Sequence, residues 1–443
     1  MTSRYRQHAA MIITFLVFFL VLNVQSSGAY SNLKQGNRGP DVLALQQQLQ
    51  QLGYFSAQPT GYFGTVTASS IKKFQLNYGL KPDGIVGVQT NSQISKLLGL
   101  RNNSNSNSNS NSHSQKEVLG FYTGDEPALP SSMATVKAQS SLLTSVSPFW
   151  YRLNRNDPSS LELYGGQTWP EVNELLSFSK KNNIGNYVLI HNLLYGSSTV
   201  SKDVVHKALA DSNTRWKLVT NIYDLVKNQG YSGVCIDIEN IYANDRGLYI
   251  QFLKELSSQF KPAGLKIISC VPSKTTDKSL GGWGDNFDYS QIGQYADQIV
   301  IMAYDEHSSG SSPGPIASRQ YVENVAQYSL TKLPPEKILM GVAGFGFDWN
   351  TNNGTSRYIS YQMAADTARQ YNRQIQWDAN KQVPYYGYTD KNGSWHSVYF
   401  ENASSLAAKL DIVNTYNLGG IAIWRLGMED PASWKVIRDK LYS

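Results

Sequence analysis

Two carboxylic acids stand at the end of one apolar segment of this 443-residue sequence. Within residues 231–240, apolar residues alternate with Cys235, Asp237 and Glu239. Since the side chains of a strand point alternately to its two faces, this spacing predicts a buried strand with both acids on one face. An apolar strand gains no stability from two inward-facing acids, so the pair favours a catalytic site over an ordinary buried strand with a solvated end.

The separation of the two acids indicates which chemistry they can support. Residues two apart in a strand are about 6.5 Å apart, and carboxyl groups about 5 Å apart repel by about 3 kcal/mol at an effective dielectric of about 20. Because that repulsion corresponds to about two pKa units, one acid should stay protonated near neutral pH while the other ionises. Glycoside hydrolysis requires this arrangement.

Short apolar strands recur between helical segments after residue 115. This alternation predicts a TIM (β/α)8 barrel, in which catalytic residues lie at the carboxyl ends of strands. The eight predicted strands are residues 118–122, 145–149, 187–191, 233–237, 266–271, 298–303, 338–342 and 420–424. Before the last strand, residues 384–400 predict a hairpin turning at Asn392-Gly393, within a small α+β insertion that would wall one side of a cleft.

The first 29 residues predict an export signal. Arg4 and Arg6 precede an apolar run over residues 11–24, and Ser27-Gly28-Ala29 is a small-residue cleavage site. The run would span about 21 Å as a helix, less than a hydrocarbon core of about 30 Å, so we expect no stable membrane span after cleavage. The mature protein is expected to be secreted.

The cysteines and histidines do not predict a metal site. Cys235 and Cys270 both fall in predicted strands rather than in loops, where disulfide frameworks are usually found. The six histidines lack the short ligand spacings of zinc sites. We therefore predict no cofactor.

Residues 31–100 are a basic segment with an internal repeat. Six basic and two acidic side chains suggest attraction to a polyanion, either a cell wall or nucleic acid, although a merely soluble surface explains the charge equally well. Residues 60–67 and 83–90 share one pattern, and each copy leads into a helix. An apolar stripe over residues 42–52 precedes them, so three short helices are predicted.

Residues 101–115 are an Asn/Ser run that cannot bury a core and predicts a flexible linker. Its end-to-end distance of about 20–23 Å would let the flanking domains move independently and act by tethering. Nucleic-acid binding is not expected, because the chain carries an export signal and the basic segment lacks an aromatic and arginine-rich strand platform.

Residues 31–100 closely resemble the peptidoglycan-binding domain type 1 family. The resemblance covers the whole segment and includes Gln46, Gly53-Tyr54, Gln75 and Asp83-Gly84. It implies binding to a cell wall without identifying contact residues. Tyr54, Phe55 and Tyr62 could face sugar, but core packing is the expected role of each.

Residues 116–443 resemble glycoside hydrolase family 18. The fourth-strand signature Asp-Gly-x-Asp-x-Asp-x-Glu falls on residues 232–239, and the sixth-strand Met-x-Tyr-Asp falls on residues 302–305. The resemblance implies that Glu239 acts as acid and base, and that Asp237 and Tyr304 hold the acetamido group of the substrate.

Further residues are expected to bind the substrate. The resemblance implies that Trp424, the last-strand tryptophan, is a sugar platform, and Met302 and Asp305 belong to the sixth-strand motif. Other candidates have an equal or more ordinary alternative. His191 and Asn192 either line the cleft mouth or cap a strand, and Tyr122 either flanks the reacting sugar or packs in the core or rim. Glu306 and His307 either contact a subsite or hold their loop.

Two positions depart from the family signature. Ser232 and Cys235 replace its first and middle aspartates, so the usual partner of Asp237 is missing. Loss of the middle acid is tolerated in the spore-cortex-lytic branch, which this sequence resembles more than it resembles typical chitinases.

These observations predict a secreted, monomeric glycosidase, associated with a cell wall or spore, that hydrolyses β-1,4 bonds after N-acetylglucosamine in peptidoglycan. The resemblance implies a retaining, substrate-assisted mechanism. Two alternatives remain open: a chitinase acting on a chitin-like polysaccharide, and a catalytically weak or inert coat or lectin-like carbohydrate-binding protein.

Overall fold

The computed structural model describes residues 33–87, 89–91, 93–94, 97–98, 116–124, 129–164, 168–194, 200–278 and 282–442. The predicted export signal and the Asn/Ser linker lie outside the described residues, so both stay predictions, as do the domain boundaries. Within the described ranges, no helix is long and apolar enough to cross a membrane.

The described residues after the linker contain two sheets. Their strands are β1 (Glu117–Tyr122), β2 (Ser145–Pro148), β3 (Tyr151–Leu153), β4 (Leu161–Leu163), β5 (Gly185–His191), β6 (Gly233–Asp237), β7 (Lys266–Pro272), β8 (Gln298–Met302), β9 (Ile338–Ala343), β10 (Phe345–Asn350), β11 (Thr355–Ser360), β12 (Gln376–Asp378), β13 (Val383–Thr389), β14 (Trp395–Phe400) and β15 (Gly420–Trp424).

Eight of these strands form a closed parallel barrel. The strands β5 to β9 follow one another, β15 joins β9 to β1, and β2 pairs with both β1 and β5. All eight predicted strands are confirmed, with ends that differ from the predictions by no more than two residues. The predicted TIM barrel is therefore confirmed, and the short strands β3 and β4 extend its sheet beyond β5.

Alternate residues of each barrel strand point to opposite sides. One set, which includes Leu189, Cys235, Cys270 and Val300, forms a core inside the barrel. The other set packs outward against helices in a larger core. Close strand approach is visible at Gly233, where a Cβ atom would lie 2.0 Å from the Lys266 carbonyl oxygen.

Among the described residues, helices cover the barrel and one face of the second sheet, and two uninterrupted helices belong to the N-terminal segment. In chain order they are α1 (Pro40–Gln51), α2 (Thr65–Asn77), α3 (Ser132–Ala138), α4 (Trp169–Lys181), α5 (Ser201–Ala210), α6 (Ser212–Gln229), α7 (Arg246–Phe260), α8 (Tyr289–Tyr295), α9 (Arg319–Leu330), α10 (Tyr361–Gln370), α11 (Ala403–Thr415) and α12 (Ser433–Leu441).

The second sheet is the predicted insertion, and it lies between β9 and β15. Its five antiparallel strands run in the order β11, β10, β14, β13, β12, and α10 packs against it over a small core. The strands β13 and β14 form the predicted hairpin. Gly393 in its turn has a φ of 83°, a conformation that glycine adopts readily.

In the N-terminal segment, α1 and α2 confirm two of the predicted helices, and described residues between 89 and 98 are helical. The two sequence repeats are held in the same way by two buried glutamines. Gln46 donates to Thr67 Oγ1 at 2.9 Å and accepts from the backbone of the first repeat. Gln75 donates to Thr90 Oγ1 at 3.0 Å and accepts from the backbone of the second.

The three aromatic residues of this segment do not all pack in its core. Phe55 is buried, and the ring of Tyr54 meets that of Phe74 edge-on at 5.2 Å. The expectation of core packing is wrong for Tyr62, whose side chain is exposed with the guanidinium of Arg38 3.9 Å above its ring. The reason is local, since Tyr62 precedes Phe63, and it is Phe63 that fills the core.

Candidate active site

A cleft of about 680 Å³ opens at the carboxyl ends of the barrel strands. Parallel strands all end at the same rim, so residues that are distant in sequence meet there. Six of the nine predicted site residues line it: Asp237, Glu239, Met302, Tyr304, Asp305 and Trp424. The structure therefore brings together the acids after β6, the motif after β8 and the tryptophan that ends β15.

Asp237 is the last residue of β6 and is 5% exposed. Its Oδ1 atom has no hydrogen-bond partner among the described residues. Burial raises the pKa of Asp237, because a buried carboxylate loses its hydration, and a hydrogen bond from Cys270 acts in the opposite direction. Asp237 therefore offers one free oxygen at the floor of the cleft.

Glu239 lies two residues beyond Asp237 and is half-buried. Burial raises its pKa, and the nearby carboxylates of Asp237 and Asp305 raise it further. The prediction that one acid stays protonated near neutral pH agrees in direction with these shifts. A protonated Glu239 is available to donate a proton into the cleft.

Tyr304 and Asp305 form the wall that follows β8. Tyr304 is 9% exposed, and its ring meets that of Phe345 edge-on at 6.0 Å. Burial raises the pKa of its phenol, so the hydroxyl stays a hydrogen-bond donor at neutral pH. Asp305 adopts a left-handed backbone with φ of 59°. Its side chain is exposed to water in the cleft, yet loss of hydration next to the cleft wall raises the pKa of its carboxyl group to about 6.

Trp424 forms an aromatic surface at the floor with Phe149. The ring of Trp424 lies 5.4 Å from that of Phe149 and 5.3 Å from that of Phe121. Trp424 is half-buried, and Phe149 lines the cleft beside it. Sequence reasoning missed Phe149 as a site residue, although its place at the end of the second predicted strand was a usable signal.

Of the two roles open for Tyr122, the structure shows packing in the core. Its ring is fully buried, meets Trp150 edge-on at 5.4 Å, and its hydroxyl donates to Glu171 Oε1 at 2.5 Å. The alternation of β1 explains this position, because Leu119 and Phe121 point into the barrel while Tyr122 points outward to the helices.

His191 does not line the cleft either. It is fully buried, and its ring stacks 3.9 Å from that of Phe149. Its Nδ1 accepts a hydrogen bond from the backbone N–H of Leu193 at 3.1 Å. Burial lowers the pKa of His191 to about 3, so the ring is neutral and supports Phe149 from below.

Asn192 holds the backbone of Glu239 instead of lining the cleft mouth. Its Nδ2 donates to the Glu239 carbonyl oxygen at 2.6 Å, and its Oδ1 accepts from the Glu239 N–H at 2.7 Å. Ser201 completes the arrangement, because its hydroxyl accepts from Nδ2 and donates to the Asn192 carbonyl oxygen. Asn192 thus fixes the peptide from which the Glu239 side chain projects.

The loop after β8 is held by the two residues for which a subsite role was open. Glu306 accepts from the Ser318 N–H at 2.6 Å and from its hydroxyl at 3.0 Å. The Nδ1 atom of His307 lies 2.9 Å from the Ser312 carbonyl oxygen. Both residues therefore hold the loop, which is the second of the two roles open for them.

Described residues between 272 and 278 and between 282 and 285 line the other side of the cleft, which sequence reasoning also missed. Ser273 lies 2.5 Å from the hydroxyl of Tyr321, and Lys274 donates to the Phe287 carbonyl oxygen at 3.3 Å. These polar residues follow β7, so their place after a predicted strand was the available signal.

The insertion meets the rim of the cleft without lining it. The indole N–H of Trp349 donates to the carbonyl oxygen of the cleft-lining Ser308 at 3.3 Å. None of the described cleft residues belongs to β10–β14. Among the described residues, the insertion therefore does not supply the expected side wall of the cleft.

Within the described ranges, no three His, Cys, Asp or Glu side chains cluster as a metal site. The absence of a cofactor requirement stays a prediction.

Comparison with known proteins agrees with this geometry. The model of glycosyl hydrolases family 18 matches residues 196–429, more than half of the chain. This chain belongs to glycosyl hydrolases family 18. The family model covers Asp237, Glu239, Tyr304 and Trp424, and a second model, that of a peptidoglycan binding domain, matches residues 38–94.

Several individual proteins are similar to this family 18 chain. The cortical fragment-lytic enzyme of Bacillus subtilis is 32% identical over 67% of this chain and 68% of its own length. The Bacillus cereus spore cortex-lytic enzyme SleL has a crystal structure with a TM-score of 0.67, 27% identity and 74% coverage of both chains. A chitinase from Chromobacterium violaceum gives the same TM-score and identity, over 74% of this chain and 99% of its own.

The family 18 chain covers only part of the length of several curated relatives. It spans 56% to 68% of the length of four Bacillus relatives that are at least 30% identical to it.

Proposed function

We propose that this chain hydrolyses the β-1,4 bond after N-acetylglucosamine in peptidoglycan, with spore cortex as the wall it acts on. The observation that carries the proposal is the position of Glu239. Burial and two neighbouring carboxylates raise its pKa at the edge of a cleft of about 680 Å³, which suits a general acid.

The proposed mechanism uses the substrate's own acetamido group. Glu239 protonates the glycosidic oxygen, and the acetamido oxygen attacks the anomeric carbon to give an oxazolinium ion. Asp237, with its free Oδ1, and the Tyr304 hydroxyl stabilise this ion, while Trp424 stacks against the sugar. Glu239 then removes a proton from water, and the resulting hydroxide opens the ring with the β configuration retained.

Two observations support a wall glycan as the substrate. The N-terminal segment matches a peptidoglycan binding domain, and the cortical fragment-lytic enzyme of Bacillus subtilis is a relative. In this proposal, the export signal delivers the chain outside the cell as a monomer. The linker then tethers the catalytic domain to the wall. Met302 and Asp305 complete the contacts to the bound sugars.

A chitinase is the second candidate, supported by the likeness to the Chromobacterium violaceum enzyme. Mass spectrometry of the products from purified cortex, vegetative wall and chitin tests both. Release of muropeptides with a reducing N-acetylglucosamine end is expected from cortex, and chitin oligosaccharides alone would favour the chitinase.

The catalytic assignment has its own test. Glu239→Gln should abolish hydrolysis and leave wall binding intact, because it removes the proton donor and preserves shape. Activity within tenfold of the parent would exclude Glu239 as the acid. Proton NMR should show the β anomer forming first, and initial release of the α anomer would exclude the retaining mechanism.

A further inference from the structure

Two thiols meet inside the barrel directly below the catalytic acids. Cys235 on β6 and Cys270 on β7 are both buried and free, and their Sγ atoms are 3.6 Å apart. These are the two cysteines of the entire sequence. A pair of thiols in hydrogen-bond contact is an unusual filling for an otherwise apolar barrel interior.

Strand register places one of these thiols beside Asp237. The parallel pairing of β6 with β7 sets Cys235 opposite Ile268 and Ile236 opposite Ser269. The next pair along these strands is Asp237 and Cys270, both on the inward face. This register makes Cys270 the neighbour of Asp237 on the inward face, and the Cys270 thiol lowers the pKa of Asp237 against the larger effect of burial.

Other groups also lie around Asp237, and none of them is a thiol. Glu239 and Tyr304 face it from the cleft, and Tyr249 approaches it from α7 with its hydroxyl 3.2 Å from Ser269 Oγ. His191 on β5 is the strand partner of Asp237, and its ring is stacked on Phe149.

We propose that Cys270 is a positioning residue for Asp237, and that Cys235 supports it by hydrogen bonding between the two thiols. In this arrangement the Cys235 S–H donates to Cys270 Sγ, and the Cys270 S–H donates to the Asp237 carboxylate. The proposal rests on the proposed function, in which Asp237 stabilises the charged intermediate.

The chemistry of a thiol pair differs from that of a third carboxylic acid at the same place. The hydrogen bond with Cys235, burial and the surrounding acids raise the pKa of Cys270, so it stays protonated and neutral. A neutral donor favours the ionised form of Asp237 without adding charge near Glu239. A carboxylate at position 235 would instead oppose ionisation of both acids.

Infrared spectroscopy of the full chain tests the hydrogen bond without any substrate. With two thiols in the chain, the S–H stretching region contains their two bands alone. Cys270→Ala should remove the band at lower frequency, and Asp237→Asn should shift that band in the Cys235→Ala background. A Cys270 band that does not respond to Asp237→Asn would overturn the proposal even if the chain hydrolyses peptidoglycan as proposed.

The pH profile of kcat/KM on a short soluble glycan released from peptidoglycan tests the effect on Asp237. Cys270→Ala should move the acidic limb upward by about half to one pH unit, because Asp237 loses a donor to its carboxylate. Cys270→Ser should restore the limb, since a hydroxyl also donates, and KM should change less than twofold in both. Circular dichroism of each variant confirms folding.

A complementary variant separates positioning from packing. Cys235→Asp should move the profile further from that of the parent than Cys235→Ser does, because the added carboxylate raises the pKa of Asp237 and Glu239. Identical profiles for the parent, Cys270→Ala and Cys235→Asp would show that the pair only fills space. If neither the parent nor any variant hydrolyses this glycan, the proposed function fails, while the infrared result still decides the hydrogen bond.

Discussion

The side-chain amide of Asn192 binds both backbone polar groups of Glu239, donating to its carbonyl oxygen at 2.6 Å and accepting from its N–H at 2.7 Å. Glu239 lies beyond the end of β6, so the strand ladder does not fix its backbone. Asn192, just beyond β5, supplies the missing constraint. The geometry of the proposed acid therefore depends on a neighbouring strand.

Replacing Asn192 should lower turnover more than substrate affinity. Asn192→Ala frees the Glu239 peptide, and kcat should fall on the order of 10- to 100-fold with little change in KM, because misplacement by about 1 Å has such costs. Ser201→Ala is the matched control, since it removes the hydroxyl that contacts Asn192 and leaves both bonds to Glu239. Steady-state kinetics would contradict the positioning role if Asn192→Ala kept the parental kcat.

Because the pKa of Glu239 is raised, replacing its carboxyl group by a neutral amide should stabilise the protein by an amount that depends on pH. A carboxyl whose folded-state pKa is raised contributes stability below its unfolded pKa, and this contribution is lost as pH rises through the folded pKa. Glu239→Gln never ionises, so at pH 8 it should exceed the parent by about 1–2 kcal/mol, and near pH 4 the two should be equal.

Thermal unfolding at the two pH values measures this difference. Glu336→Gln, which alters an exposed carboxylate, is the control and should give no pH-dependent gain. Equal unfolding temperatures of Glu239→Gln and the parent at pH 8 would show that Glu239 ionises without cost.

The paired glutamines of the N-terminal segment predict equivalent effects on its folding. Gln46 and Gln75 each satisfy buried backbone groups of one repeat. Replacing either by alanine should destabilise this segment by about 1–3 kcal/mol for each buried group left unpaired. Gln89→Ala, at an exposed position, is the control.

Differential scanning calorimetry of each full-length variant should show a lower unfolding temperature for the N-terminal segment and an unchanged one for the rest of the chain. A parental transition in Gln46→Ala would mean that water replaces its hydrogen bonds.

Removal of residues 31–100 should separate wall binding from chemistry. Pull-down on insoluble wall should weaken, whereas turnover of a short soluble glycan should barely change, since tethering alters local concentration alone. The parent and the truncated chain are compared in both assays. A comparable loss in both would show that the segment helps to build the active site.

The sequence by itself determined the features that depend on local periodicity. Alternation of period two in residues 231–239 placed Asp237 inside the barrel, and apolar runs located all eight strands. The repeats that Gln46 and Gln75 hold were also visible in the sequence, as was the insertion. In each of these, one chain segment carries the whole signal.

Tertiary structure decided which of the local candidates reach the cleft. Tyr122 and Phe121 are neighbours, and the orientation of β1 in the closed barrel points Phe121 inward and Tyr122 outward. Cys270, 33 positions away in the sequence, became the neighbour of Asp237 through the register of β6 and β7. Asn192 reached Glu239 in the same way across β5 and β6. These contacts follow from strand order and register, which barrel closure fixes and which no single segment encodes.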